Sequence, residues 1–159
     1  MADRVKVFSP ATVANVSCGF DVIGLALDNP GDELTLTKNN SGNITLSEIT
    51  GAELSYKPEE NVCGVALKAL MDAAQTPFGF DIKLAKNIYP GSGIGSSAAS
   101  AAGMAAAANY LLNYVFTKSE LVRFAMEGER LASGSAHADN VAPAIFGGFT
   151  LVRSHQPLD

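Results

Sequence analysis

Residues 90–97 read Pro90-Gly91-Ser92-Gly93-Ile94-Gly95-Ser96-Ser97 and run straight into Ala98-Ala99-Ser100-Ala101-Ala102-Gly103. Glycine at alternate positions strips the loop of Cβ atoms, so its backbone can bend and approach a ligand closely. The small residues that follow, over positions 98–108, predict a helix. The first amides of a helix have no carbonyl partners and carry the positive end of its dipole. A glycine-rich turn feeding such an end binds phosphate, and the Ser96 and Ser97 hydroxyls can add contacts to phosphate or Mg²⁺. Pro90, Gly91, Ser92, Gly93, Ile94, Gly95, Ser96, Ser97, Ala98 and Ala99 are therefore the candidate phosphate-binding segment. A flexible loop ahead of an alanine-rich core helix would explain the alanines, but not the glycine run followed by paired serines.

Two other phosphate loops do not fit. A Walker A loop needs Gly-Lys-Ser/Thr, and no lysine occurs here. A dinucleotide fingerprint needs G-x-G-x-x-G with an acidic residue about twenty positions on. The nearest later acid, Glu120, belongs to Thr117-Lys118-Ser119-Glu120, which reads as a helix-capping box.

The chain has 159 residues, 47% hydrophobic and 17% charged, enough for one domain with a real core. A net charge of −5 argues against nucleic acid or an anionic membrane surface as partner. Cys18 and Cys63 lack metal-ligand spacing and are expected to be buried free thiols in a reducing compartment. The start, Met1-Ala2-Asp3-Arg4, leads into a strand-like run, and no apolar run is long enough to span a membrane. A cytoplasmic protein is expected.

Outward from the loop, Val5, Val7 and Phe8 predict a strand closed by Ser9-Pro10. Residues 32–38 and 44–47 alternate with period two, and Asn39-Asn40-Ser41-Gly42-Asn43 between them predicts a hairpin. Asn61 caps a predicted helix with Val62, Val65, Ala66, Ala69, Leu70 and Ala73 on its apolar face, ended by Thr76-Pro77. Residues 80–85 predict the strand that delivers the chain to the loop. Thr117 starts a helix ending near Ser133-Gly134, on which Glu127 has Arg123 and Arg130 within a turn and so reads as an ion-pair partner. Residues 149–152 predict a last strand.

Two further segments carry polar residues in unusual company. In Pro10-Ala11-Thr12-Val13-Ala14-Asn15-Val16-Ser17-Cys18-Gly19-Phe20-Asp21, Asn15 and Asp21 stand among small and apolar neighbours. Spacing alone leaves turn chemistry and ligand contact equally open. In Ser133-Gly134-Ser135-Ala136-His137-Ala138-Asp139-Asn140, three polar side chains crowd together ahead of an apolar run, which suggests a site. A serine hydrolase built from Ser97, His137 and Asp139 is a second reading, but Ser97 lacks the G-x-S-x-G setting of such a nucleophile.

These three segments together resemble the GHMP small-molecule kinases, which share a motif Pro-x-x-x-Gly-Leu-Gly-Ser-Ser-Ala. Here Pro90 sits one position late and Ile94 replaces leucine, and neither change removes an amide from the glycine run. The first segment resembles the family's Pro-Ala-x-x-Ala-Asn-x-Gly-x-Gly-Phe-Asp-x-x-Gly, with Ser17 in place of a glycine. The histidine segment resembles the branch acting on L-homoserine; mevalonate-type members lack that histidine and remain the alternative.

The resemblance implies an α+β fold, the family's N-terminal domain, in which a ribosomal-protein-like βαβ sheet packs against helices. It implies ATP and Mg²⁺ as cofactors, with Ser97 and Glu129 as metal ligands, although a helical glutamate is otherwise most often a surface residue. Asn15, Asp21, His137 and Asn140 are implied substrate contacts, with Asp139 and Asn140 the candidate catalytic pair. Counting back from Gly147-Gly148, Asn140 stands where mevalonate-type kinases keep an aspartate, so orientation without a general base is expected. The resemblance covers the N-terminal half of such a kinase as residues 1–159, with the C-terminal domain absent. The chain is then expected to bind nucleotide weakly, to turn over little substrate alone, and to form a homodimer through apolar surface left uncovered. A non-catalytic nucleotide-binding fragment is the remaining reading.

Overall fold

The computed structural model describes residues 2–134, 137–154 and 158–159. Ser135 and Ala136 of the histidine segment, and His155, Gln156 and Pro157, lie outside the described residues. The element order is β1 (Arg4–Ala14), β2 (Ile23–Asn39), β3 (Ile44–Thr50), a 3-10 turn (Pro58–Glu60), α1 (Val62–Ala74), β4 (Gly79–Ala85), α2 (Ser96–Leu111), α3 (Lys118–Ser133), α4 (Val141–Phe146) and β5 (Phe149–Leu151).

The sheet runs β1-β2-β4-β3, with β5 paired to β2. β2 is antiparallel to β1 and β4, while β3 is parallel to β4, so β3-α1-β4 forms a βαβ crossover. This corrects the hairpin expected across residues 39–43. β4 inserts between the two strands because the turn residues serve it instead: Asn39 Nδ2 donates to Asn43 O (3.2 Å) and Asp81 Oδ1 (2.8 Å), and the Phe80 amide donates to Asn43 O (3.0 Å). The first strand also does not stop at Ser9-Pro10. It continues to Ala14 through a register shift between Pro10 and Thr12, where a residue without an amide proton is tolerated.

One face of the sheet is covered and the other open. Leu34 and Leu36 of β2, Phe80, Ile82 and Leu84 of β4, and Leu46 of β3 are buried beneath the helices. On the open face, Lys6 pairs with Glu33 (3.0 Å) and Lys83 with Glu48 (2.8 Å). α2 lies between the sheet and the other helices, and its Ala98, Ala101, Ala102, Ala105 and Ala108 are all buried. Small side chains let neighbouring helices come close. At Gly128 a Cβ would stand 2.7 Å from Val62 O and 3.0 Å from Ala101 Cβ, so only glycine lets α3 settle against α1 and α2 here. That close seat brings the next residue, Glu129, to the start of α2.

The start of α3 is a complete capping box, with Thr117 accepting from the Glu120 amide and Glu120 accepting from the Thr117 amide. Thr117→Ala removes one half of it. We expect a loss of about 1 kcal/mol, read as a lower urea midpoint with an unchanged slope; an unchanged midpoint would remove the cap from the account of how α3 is held. Asn61 likewise caps α1, accepting from the Cys63 amide at 3.0 Å. Cys63 is buried, and burial pushes its thiol up to about 12. Cys18, expected to be buried, is instead exposed in the turn between β1 and β2.

Candidate active site

α2 differs from the other long helices in how it begins. Gly95 occupies its N-cap with φ 66°, ψ 36°, and no side chain caps the helix. The Ala99 amide is the first to find a carbonyl, that of Gly95 at 2.9 Å. The amides of Ser96, Ser97 and Ala98 are left to whatever binds in front of them. Gly91 and Gly93 also have positive φ and stand exposed at the loop tip, where a Cβ would meet nothing.

The loop opens onto a cavity of about 460 Å³. Pro90, Gly91, Gly93, Gly95, Ser96 and Ser97 line it from the loop, Glu129 from α3, and Asn140 from the start of α4. Leu54, Asn61 and Val62 also line it. The remaining loop residues play supporting parts. Ile94 packs on Ala11, Ile88 and Ala99, the Ser92 amide donates to Tyr89 O (3.1 Å), and Ala98 and Ala99 are buried in the helix.

Ser97 and Glu129, far apart in sequence, meet in this cavity. The Ser97 side chain lies beside the Glu129 carboxyl group, whose Oε1 is buried without a hydrogen-bond partner. Burial raises the Glu129 pKa above the usual carboxylate range, and the nearby Asp139 charge adds to this. The neighbouring Ser97, His137 and Lys86 side chains oppose the rise. An orphaned carboxylate oxygen beside a serine hydroxyl is a donor set that suits Mg²⁺. Among the described residues no cluster of three or more His, Cys, Asp or Glu forms an all-protein metal site. Mg²⁺ bound together with phosphates uses only one or two protein side chains.

Asn140 joins the cavity to the first segment. The Thr12 hydroxyl donates to Asn140 Oδ1 (2.9 Å), and the Thr12 amide donates to Ile94 O (3.1 Å). Thr12, buried at the β1 irregularity, thus ties together the first segment, the glycine loop and the α4 start. With its carbonyl oxygen engaged, Asn140 offers its NH₂ group to the cavity. Asp139 is turned under the site: it is 2% exposed and accepts from the Asn140 amide at 3.0 Å. Burial raises its pKa, the Asn140 amide and His137 lower it, and Asp21 raises it.

Asn15, Asp21 and His137 gather beside that pair. Asn15, Ser17 and Asp21 all adopt positive φ, and Asn15 Oδ1 accepts from the Asp21 amide (2.8 Å). Asn15 therefore performs turn chemistry and leaves its NH₂ available. Asp21 Oδ1 lies 3.8 Å from His137 Nδ1. The hydrolase reading finds no support, since Ser97 lies beside Glu129 at the start of α2 and His137 Nδ1 faces Asp21.

A buried cluster beneath the loop has no counterpart in the sequence reading. Lys86 Nζ pairs with Asp32 Oδ2 and donates to Ser96 O (2.6 Å) and Ser100 Oγ (2.9 Å). Burial of a lysine straight after a strand leaves no trace in hydrophobic periodicity.

The sequence profile described as GHMP kinases N terminal domain matches residues 60–148. The chain belongs to that family, and its α+β fold is the family's N-terminal domain. A homoserine kinase of Chlorobium phaeovibrioides is 47% identical over 167 residues, which cover 98% of this chain and 52% of the relative. A homoserine kinase of Methanococcus maripaludis is 45% identical, with the same shares covered. The crystal structure of homoserine kinase from Cytophaga hutchinsonii superposes with a TM-score of 0.94 at 49% identity, covering 100% of this chain and 51% of that one. Mevalonate kinase from L. major in complex with R-mevalonate gives a TM-score of 0.74 at 18% identity, a likeness of fold alone. The chain spans about half the length of the curated relatives it matches. No helix among the described residues is long and apolar enough to cross a membrane.

Proposed function

We propose that this chain is the ATP-binding half of an enzyme that phosphorylates the side-chain hydroxyl of L-homoserine, giving O-phospho-L-homoserine for threonine biosynthesis. The observation that carries the reading is one cavity shared by an uncapped helix N-terminus, a glycine loop, and a serine–glutamate pair with a buried, unpartnered oxygen. The likeness to homoserine kinases over 98% of the chain supports the choice of substrate.

Phosphoryl transfer asks for positioning and charge neutralisation more than for covalent chemistry. The amides of residues 93–97 would hold the β- and γ-phosphates, and Leu54 and Val62 would offer the base an apolar wall. Ser97 and Glu129 would hold Mg²⁺, which when bound screens the charge on the phosphates. Asn15, Asp21 and His137 would orient the amino acid, with its hydroxyl brought to Asn140. The bond formed joins that hydroxyl oxygen to the γ-phosphorus, the bond broken joins the γ-phosphorus to the β–γ bridging oxygen, and ADP leaves. The hydroxyl proton passes to an oxygen of the transferred phosphoryl group and from there to water. Asn140 donates and takes no proton, because an amide is not a base at neutral pH and its oxygen is engaged by Thr12. Orientation and electrostatics carry the rate in this account.

The test is an amide NMR titration of the chain saturated with Mg²⁺ and a nonhydrolysable ATP analogue. L-Homoserine is expected to shift signals of residues 15–21 and 137–140, and mevalonate to leave them in place. Shifts with mevalonate, or shifts confined to other residues, would overturn the choice of substrate. In a catalytically competent protein containing this chain, Asn140→Ala should lower kcat and kcat/KM together by about tenfold. Asp139→Asn should keep turnover within about tenfold and leave the pH profile near neutrality in place. A loss at Asp139 of the size a missing general base gives, about 100-fold or more, would restore Asp139 as the base.

Phe20 (68% exposed), Phe149 (71%) and Leu151 (59%) leave apolar surface on the β2–β5 side. We propose that the free chain self-associates through it.

A further inference from the structure

The tip of the glycine loop makes few contacts of its own, so its shape depends on how its ends are held. Asp32, fully buried at the β1-β2 register shift, holds the entry: its Oδ1 accepts from the Asn87 and Ile88 amides, both at 3.0 Å. Its Oδ2 takes Lys86 Nζ and the Ser100 hydroxyl (2.8 Å). Lys86 holds the exit through Ser96 O, and the Ser96 hydroxyl closes the loop by donating to Ile88 O at 2.8 Å. Every polar atom in this cluster is engaged, and Lys86 also lines the cavity.

A buried ion pair adds little to stability that well-packed apolar residues could not supply. What it adds here is direction. Each bond runs from the pair to a main-chain atom at one end of the loop or to the first turns of α2. We propose that Lys86, Asp32 and Ser100 are positioning residues. They fix the two ends of the loop against each other and so set the affinity for the phosphates of a nucleotide rather than for its base. This rests on residues 90–97 being the nucleotide loop.

The test compares two ligands on the chain, a nonhydrolysable ATP analogue with Mg²⁺ and adenosine, which lacks phosphates. Ser100→Ala removes one hydroxyl while leaving the ion pair and a good helix former in place. It is expected to weaken the ATP analogue about fivefold and to change adenosine by less than about twofold. Hydrogen exchange at the amides of residues 93–97 should quicken in step. Asp32→Asn should weaken the analogue by about tenfold with the same selectivity; if it does not fold, Ser100→Ala decides. A wild-type chain that does not bind the analogue would overturn the nucleotide-loop reading and this proposal with it. Wild-type binding, with folded variants that keep the wild-type ratio of the two affinities, would overturn this proposal alone.

Discussion

Gly95→Val lowers the affinity of the chain for a nonhydrolysable ATP analogue by about 100-fold or more. The reason is local. Gly95 has φ 66°, a conformation that β-branched residues scarcely adopt. A Cβ there would also stand 2.1 Å from Thr12 Oγ1 and 3.0 Å from Asn140 Oδ1. The side chain would pry apart the Thr12–Asn140 contact and turn the first amides of α2 away from the cavity. Gly91 supplies the control. Its φ is also positive, but a Cβ there meets nothing, so Gly91→Ala should cost less than about tenfold. Calorimetric titration of both variants, with circular dichroism to confirm the fold, separates the two effects. Unchanged affinity in Gly95→Val would remove the loop from the binding account.

Glu129→Gln is expected to make the free chain more stable and its nucleotide binding nearly indifferent to Mg²⁺. In the wild type, Mg²⁺ should strengthen binding of the ATP analogue about 100-fold; in the variant that gain should shrink to a few-fold. The stability change has the opposite sign, because burial raises the Glu129 pKa. Between the ordinary carboxylate pKa and the raised one, the folded chain holds more protons than the unfolded chain. Stability therefore falls as pH rises through that window, and the deficit is fully present above it. Glutamine removes the slope and should raise the melting temperature at neutral pH by about 3 °C. Mg²⁺ binding requires the ionised carboxylate, so it should release protons from the wild type at pH values inside the window. Equal Mg²⁺ dependence in wild type and variant would remove Glu129 from the metal site.

Much of the proposed phosphate half of the site rests on chemistry that is local in sequence. The glycine loop and the start of α2 are contiguous, and their meaning rests on which residues can bend or leave amides free. Caps at Asn61 and Thr117 were legible for the same reason. Strand order was not: Asn39-Asn40-Ser41-Gly42-Asn43 has a hairpin's composition, and only the three-dimensional path shows Phe80 taking the carbonyl that a hairpin would have used. Ser9-Pro10 looked like a stop because proline cannot donate to a ladder, yet a bulge makes that donation unnecessary.

The contacts between segments were hidden more deeply. Thr12 is an ordinary strand residue until its hydroxyl meets Asn140, 128 positions away. Lys86 and Asp32 look like surface charges at strand ends, and nothing in spacing marks them as a buried pair. Glu129 was singled out by resemblance alone. Its burial follows from Gly128, whose missing side chain lets α3 come close enough to place the carboxylate beside Ser97.

The central claim is that the amides at the start of α2, with Ser97 and Glu129, form the phosphate site. Its most direct test is a crystal structure of the chain with Mg²⁺ and a nonhydrolysable ATP analogue. The account predicts phosphate oxygens within hydrogen-bond distance of amides in residues 93–97, and Mg²⁺ between those phosphates, Ser97 Oγ and Glu129 Oε1. Phosphates bound away from these amides, or a Glu129 carboxylate still unpartnered beside the bound nucleotide, would contradict it.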